Sequence, residues 1–186
     1  MKPRLWIAIF LAAGNLWAQP LRLEVGKVSK TQPQADGTIG QEEYSGRTVD
    51  KNTGVEIWSA ADSANIYIAL RSPGSGWLAM GFGSSGMKGA LMVLAHKNEK
   101  GTWTVEQHLG KAFFRHSQVE RPNLISGMAW QEKGLTCMEF SLPLDYAPGK
   151  SMRSKDPTPI ILAYHKDRGD LSKHSRRSSG TIALAK

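Results

Sequence analysis

An all-β fold, a sandwich or a barrel, is what the sequence predicts, and three observations predict it. Short runs alternate apolar and polar residues with the two-residue period of a strand. Glycine, proline, asparagine and aspartate turns separate these runs at regular spacing. No stretch carries the 3.6-residue periodicity of an amphipathic helix of ordinary length.

The elements follow in order. Residues 1–18, MKPRLWIAIFLAAGNLWA, open with Lys2 and Arg4, run through an apolar block at 5–13 and close on the small Ala18. That is the order of a secretory signal peptide, and the block is too short for a permanent membrane anchor. Residues 19–34 read as a loosely ordered lead-in, and 35–186 as one domain. VEIWSA and NIYIALRS alternate across a turn at 61–64, with Ile66, Ile68 and Leu70 on one face and Tyr67 and Ala69 on the other. In GWLAMGFG, Leu78, Met80 and Phe82 share a face opposite Trp77 and Ala79. The loop Ser84-Ser85-Gly86 leads into GALMVLAH, and TWTVEQH follows a turn at 97–101. Further strands are expected at GMAWQEK, LTCMEFSL, PIILAYH and GTIAL, with a polar, proline-bearing connector over 147–159.

Composition narrows the function. Without the leader about 168 of the 186 residues remain, enough for one domain with a real core. No further apolar run reaches transmembrane length, so a soluble periplasmic or secreted protein is expected. Cys137 is the only cysteine, which excludes an internal disulfide framework, and the absence of C-x-x-C-H excludes covalent haem attachment. Its apolar setting, LTCMEF, marks a buried thiol. The formal charge of +8 falls to about +6 once Lys2 and Arg4 are removed. No nucleic-acid-binding motif accompanies that charge, so nucleic acid is set aside. Nor is there a G-x-S-x-G elbow, an H-E-x-x-H, a P-loop or a persuasive carboxylate pair, so the chain is not expected to be an enzyme.

The residue in an unusual place is Met87, in the glycine-flanked loop Gly86-Met87-Lys88-Gly89 between two apolar strands. A thioether is a soft ligand for haem iron or copper, although a loop methionine also folds readily onto a core. Five histidines could complete a site: His96, His108, His116, His165 and His174. His96 and His108 lie on strands and read as surface or packed imidazoles, His116 lies in a polar loop, and His165 closes PIILAYH. His174 stands in the basic stretch KDRGDLSKHSRRSSG, where Lys173, Arg176 and Arg177 could pair with carboxylates. Taken by itself, that stretch reads first as a solvated loop.

The chain resembles a DOMON domain of the single-domain exported kind. The resemblance is carried by DGTIGQEEY at 36–44, VEIWSAADSANIYIAL, the central GWLAMGFG…MKGALMVL, MEFSLPLD at 138–145 and IILAYH…KHSRRSSGTIAL, in order over nearly the whole domain. It departs from the family at Leu91, where relatives carry an acidic residue, and at Arg177-Ser178-Ser179, where they carry Arg-Gly. The resemblance implies an immunoglobulin-like antiparallel β-sandwich of around ten strands, similar to the cytochrome domain of cellobiose dehydrogenase. It further implies haem b for electron transfer, with Met87 and His174 as axial ligands and His165 as second choice for the histidine. The haem is then expected in a pocket at one end of the sandwich, with Trp77, Leu78 and Phe82 near the ring. Lys173 and Arg176 are expected at the propionates, and the partner is a redox protein, possibly acidic. Two alternatives stay open: a haem-free carbohydrate-binding module using Trp58, Trp77, Trp103 or Trp130, and an accessory subunit of a redox complex.

Overall fold

The computed structural model describes residues 20–40 and 42–185; the expected leader at 1–18 lies outside them. Twelve strands form: β1 (Leu21–Val25), β2 (Gly46–Val49), β3 (Glu56–Ala61), β4 (Asn65–Arg71), β5 (Leu78–Phe82), β6 (Leu91–Lys97), β7 (Trp103–Ala112), β8 (Arg115–Gln118), β9 (Ser126–Glu132), β10 (Leu135–Pro143), β11 (Thr158–Tyr164) and β12 (Arg176–Leu184). They build a seven-stranded sheet in the order β1-β12-β11-β5-β6-β7-β8 and a five-stranded sheet in the order β2-β3-β4-β10-β9. The all-β sandwich expected from the sequence is therefore the fold, and no helix interrupts the described residues.

The strand count exceeds the expected ten. Residues 19–34 are not a loose lead-in throughout, because Leu21, Leu23 and Val25 bury alternately with exposed Arg22 and Glu24 between them. This period of two lays β1 parallel along β12, whereas the other strand pairs among the described residues are antiparallel, and a single parallel bridge joins Lys27 to Ala61. The polar stretch around His116 also forms a strand, β8, on the other edge. The connector ends earlier than expected, since Thr158 and Pro159 open β11. Pro159 is exposed there and its carbonyl accepts the Gly83 N–H at 2.8 Å, so the missing donor costs the ladder nothing.

The core lies between the sheets. Leu78, Met80 and Phe82 of β5 face Ile68 and Leu70 of β4 and Phe140 of β10, all essentially inaccessible to solvent. Phe82 meets Phe140 edge to face, centroids 6.2 Å apart. In a two-layer sandwich the other half of each strand should face water. Yet every residue of β5, and Ile66–Leu70 of β4, is buried on both faces. Each sheet therefore carries an outer apolar cluster with its own cover, and these clusters frame the functional question.

Candidate functional site

The cluster outside the seven-stranded sheet is built from the alternate residues of β5, β6 and β11. Ala79 stands in register with Ala163 on one side and Leu94 on the other, and Gly81 with Ile161 and Met92. The floor is small and apolar at its centre, because Ala79, Gly81 and Ala163 carry little or no side chain. Trp77, Ala90, Met92 and Leu94 rim it and are buried, with Met87, Ile161, Ala163 and Leu171 packed against them.

Two loops cover this floor, one from each end of β5. The loop after β5 carries Met87, half-buried against the cluster. It is laid onto β7 at Gly110, where an added Cβ would fall 1.7 Å from the Met87 carbonyl oxygen. Hydrogen bonds from Gly89 N–H to Gly110 O and from Gly110 N–H to Ala90 O, both 2.9 Å, hold it there. Lys150 Nζ adds a bond to Gly89 O at 2.8 Å. The loop between β11 and β12 carries His174. It closes over Gly76, where a Cβ would come within 2.5 Å of the carbonyl oxygens of His165 and Arg168. The Trp77 indole N–H donates to Ser172 O at 3.1 Å, and Ser175 N–H to Tyr164 O at 2.9 Å. Burial, reinforced by Arg177 and Lys173, pushes the His174 pKa below the ordinary imidazole value. His174 is therefore neutral at pH 7, with a lone pair to offer.

The predicted residues thus separate. Met87, His174, Trp77 and Lys173 belong to the two covers or the rim. The loops approach from opposite ends of a five-residue strand, a span of about 13 Å, and what they cover is an outer face of the sandwich rather than one of its ends. Leu78 and Phe82 point to the opposite side of β5, into the core, because they alternate with Trp77, Ala79 and Gly81. Arg176 pairs with Tyr164, whose ring is in the core, whereas Arg177 pairs with Ala163 and shares the outer face. Strand parity thus exchanges Arg177 for Arg176. His165 is occupied locally: its Nδ1 accepts the Arg168 and Asp167 N–H groups at 3.0 and 3.3 Å and caps their turn.

The same face continues across β6 and β7 to β8, where His96, Glu106 and His108 bring donor atoms within 4.8 Å of one another and His116 touches His108. Sequence reading took these histidines singly. The signal that could have joined them is parity, since Glu106 and His108 are two residues apart on one strand and His96 stands on its hairpin partner.

Outside the five-stranded sheet lies a groove of about 520 Å³, lined by Arg47, Trp58, Arg71, Trp130 and Glu132 together with residues 37–39. Arg47 and Arg71 lie 5.0 and 5.2 Å from the Trp58 ring centroid, and Arg71 grips Glu56 through two hydrogen bonds of 3.1 Å. Of the four candidate tryptophans, this groove unites Trp58 and Trp130. Trp103 packs against the core, with Lys97 5.5 Å from its ring centroid.

No family model matches the sequence, and no curated protein matches it. Solved structures do. The cytochrome b domain of pyranose dehydrogenase from Coprinopsis cinerea is similar with a TM-score of 0.57 at 12% identity, over 74% of this chain and 80% of that one. The cytochrome domain of cellobiose dehydrogenase from Myriococcum thermophilum gives 0.52 at 15% identity, over 73% and 78%. A family 9 carbohydrate-binding module from Caldicellulosiruptor kristjanssonii, in complex with cellotriose, gives 0.50 at 9% identity, over 88% and 93%. The resemblance to a DOMON domain holds at the level of fold, since both cytochrome domains are of that type.

Proposed function

We propose that the chain binds a b-type haem against the outer face of the seven-stranded sheet and carries electrons, with no reaction of its own. One observation carries this reading. An apolar floor of small residues is covered by two loops, and the two loops bear a half-buried thioether, Met87, and a neutral imidazole, His174. The fold shared with two cytochrome domains supports it.

The residues fit the group. Ala79, Gly81 and Ala163 keep the floor shallow, and the Met92 and Ile161 side chains over Gly81 would have to turn aside for the ring together with Met87 and Leu171. Haem b supplies one-electron chemistry, its iron alternating between ferric and ferrous states. Met87 and His174 are the residues that would hold the iron, and a thioether paired with an imidazole would set a higher potential than two imidazoles. Held by both residues, the group would serve electron exchange rather than oxygen binding. Trp77 keeps the His174 loop in place through Ser172, and Lys173 and Arg177 offer charge to haem carboxylates. The net positive charge suits an acidic redox partner, met outside the cytoplasm after export through the 1–18 leader. Among the described residues no helix is long and apolar enough to cross a membrane.

The test is the visible spectrum of protein exported from a haem-sufficient host, oxidised and then dithionite-reduced. A sharp Soret band with reduced low-spin b-type bands is expected, and a colourless folded protein that refuses haemin overturns the proposal. A second reading, carbohydrate binding, rests on the groove that joins Trp58 and Trp130 on the other sheet and on the fold shared with a sugar-bound module. Retention of the haem-free protein on cello-oligosaccharide, lost in Trp58→Ala, would favour it.

A further inference from the structure

Beside the apolar floor, three donor side chains converge, and one of their buried ring nitrogens, His96 Nε2, makes no hydrogen bond. His96 Nε2 lies 3.2 Å from Glu106 Oε2, and His108 Nε2 lies 3.1 Å from the same oxygen. The side chains of His96 and His108 are only 12% and 9% exposed, and that of Glu106 25%. All three stand on the outer face of the β6–β7 hairpin, Glu106 opposite Leu94 and His108 opposite Met92, so apolar neighbours flank them.

The protons on the far side of each ring decide what the near side offers. His96 Nδ1 lies 3.2 Å from Lys97 O, a carbonyl that can only accept, so Nδ1 carries the proton and Nε2 presents a lone pair. That Nε2 is buried and makes no hydrogen bond, for its approach to Glu106 is not aligned for one. His108 Nδ1 meets His116 Nδ1 at 2.8 Å. When His108 donates there, its Nε2 also turns a lone pair toward Glu106. In that tautomer two imidazole lone pairs meet one carboxylate with N···O separations of 3.1 and 3.2 Å, which a cation at the centre satisfies. In the other, His108 Nε2–H donates to Glu106 Oε2 and His96 Nε2 stays unpartnered.

We propose that His96, Glu106 and His108 form a binding site for a divalent cation of the zinc type, with His116 as the positioning residue that holds His108 in the ligating tautomer. Two imidazoles and a carboxylate are a donor set zinc accepts, leaving a fourth position free. The two short N···O edges match the edge of about 3.3 Å that zinc bonds of about 2.0–2.1 Å impose on a tetrahedron. In the ligating tautomer both histidines donate their remote N–H to an acceptor, Lys97 O and His116 Nδ1, as ligating imidazoles regularly do. The site shares no residue with Met87 and His174 and does not depend on the haem reading.

The experiment is calorimetric titration of the chelator-treated, full-length exported protein with zinc chloride, read together with the melting temperature. One equivalent should bind with a dissociation constant at or below about 1 µM, and zinc should raise the melting temperature. Glu106→Gln and His108→Ala should each weaken binding at least 100-fold, and the His96→Ala/His108→Ala double variant should fold, melt independently of zinc and bind none. His116→Ala should weaken binding about tenfold, and His116→Asn, which keeps an acceptor, should recover most of that loss. A wild-type dissociation constant weaker than about 100 µM, or binding that survives the double variant, overturns the proposal.

Discussion

The two outer faces of the sandwich are covered in different ways. Outside the five-stranded sheet, Tyr44, Ala60, Tyr67 and Ala69 form a small buried cluster, with Val28, Ile39 and Trp58 packed on it. Its cover, drawn from residues 28–40 and 42–44, is locked by polar bonds that reach inward. Tyr44 O–H donates to Glu139 Oε1 at 3.0 Å and Gly37 N–H to Glu139 Oε2 at 3.2 Å, while Tyr67 O–H donates to Asp62 at 2.6 Å. Outside the seven-stranded sheet the covers are pinned chiefly at their ends by backbone bonds, and what lies over the floor is methionine, leucine and Ile161. Separating a buried carboxylate from its donors leaves each polar group unsatisfied, whereas sliding a thioether off an alanine costs only contact area. The first cover is part of the fold. The second is the one that can yield to a flat apolar guest.

The widest contrast between the faces is spectroscopic. Met87→Ala and His174→Ala should each abolish the reduced low-spin bands, while Trp58→Ala and Trp130→Ala leave them intact. The opposite pattern in the absorbance spectra would move function to the groove. Next in size is Phe82→Ala, which tests on which side of β5 this ring works. It should cost about 3–5 kcal/mol in denaturant unfolding and leave the haem bands of the folded fraction unchanged, since the ring faces Phe140 and not the floor.

Glu139 sharpens the comparison through pH. Burial is the largest influence on it and pushes its pKa up to about 7, against the bonds from Tyr44 and Gly37. The folded state thus keeps the proton to higher pH than the unfolded chain. The stability that Glu139 contributes is full below the usual carboxylate range and is lost as pH rises toward 7. Relative to Glu139→Gln, the native protein should lose on the order of 1–3 kcal/mol between pH 4 and pH 8 in unfolding titrations. A flat difference would show the five-stranded side to be less tightly locked than its hydrogen bonds imply. The smallest effect is expected at Trp77→Phe, which removes the bond to Ser172 O. About 1 kcal/mol of stability should go, and amide exchange in 170–175 should quicken while that in 84–90 does not.

Much of this was legible in one dimension. The alternation in VEIWSA, NIYIAL and GWLAMGF dictates all-β structure and separates Leu78, Met80 and Phe82 from Trp77 and Ala79, because successive side chains on a strand must take opposite sides. The oddity of Met87, an apolar residue at a glycine-flanked loop tip, could be read there too, as could the thiol of Cys137, which is fully buried. What alternation does not state is which side meets the other sheet. Pairing decided that: once β5 lies between β11 and β6 and against Phe140, Leu78 and Phe82 belong to the core, Trp77 and Ala79 to the outer floor, and Arg177 rather than Arg176 to the face beneath His174. Pairing also set the loops of Met87 and His174 at opposite ends of β5, because β11 runs antiparallel to it. Hairpin register brought His96 to Glu106 and His108 across ten residues of chain. Local periodicity follows from the geometry of a single strand and is written in the sequence. The meeting of distant side chains follows from which strands pair and in what register, and that belongs to the folded molecule alone.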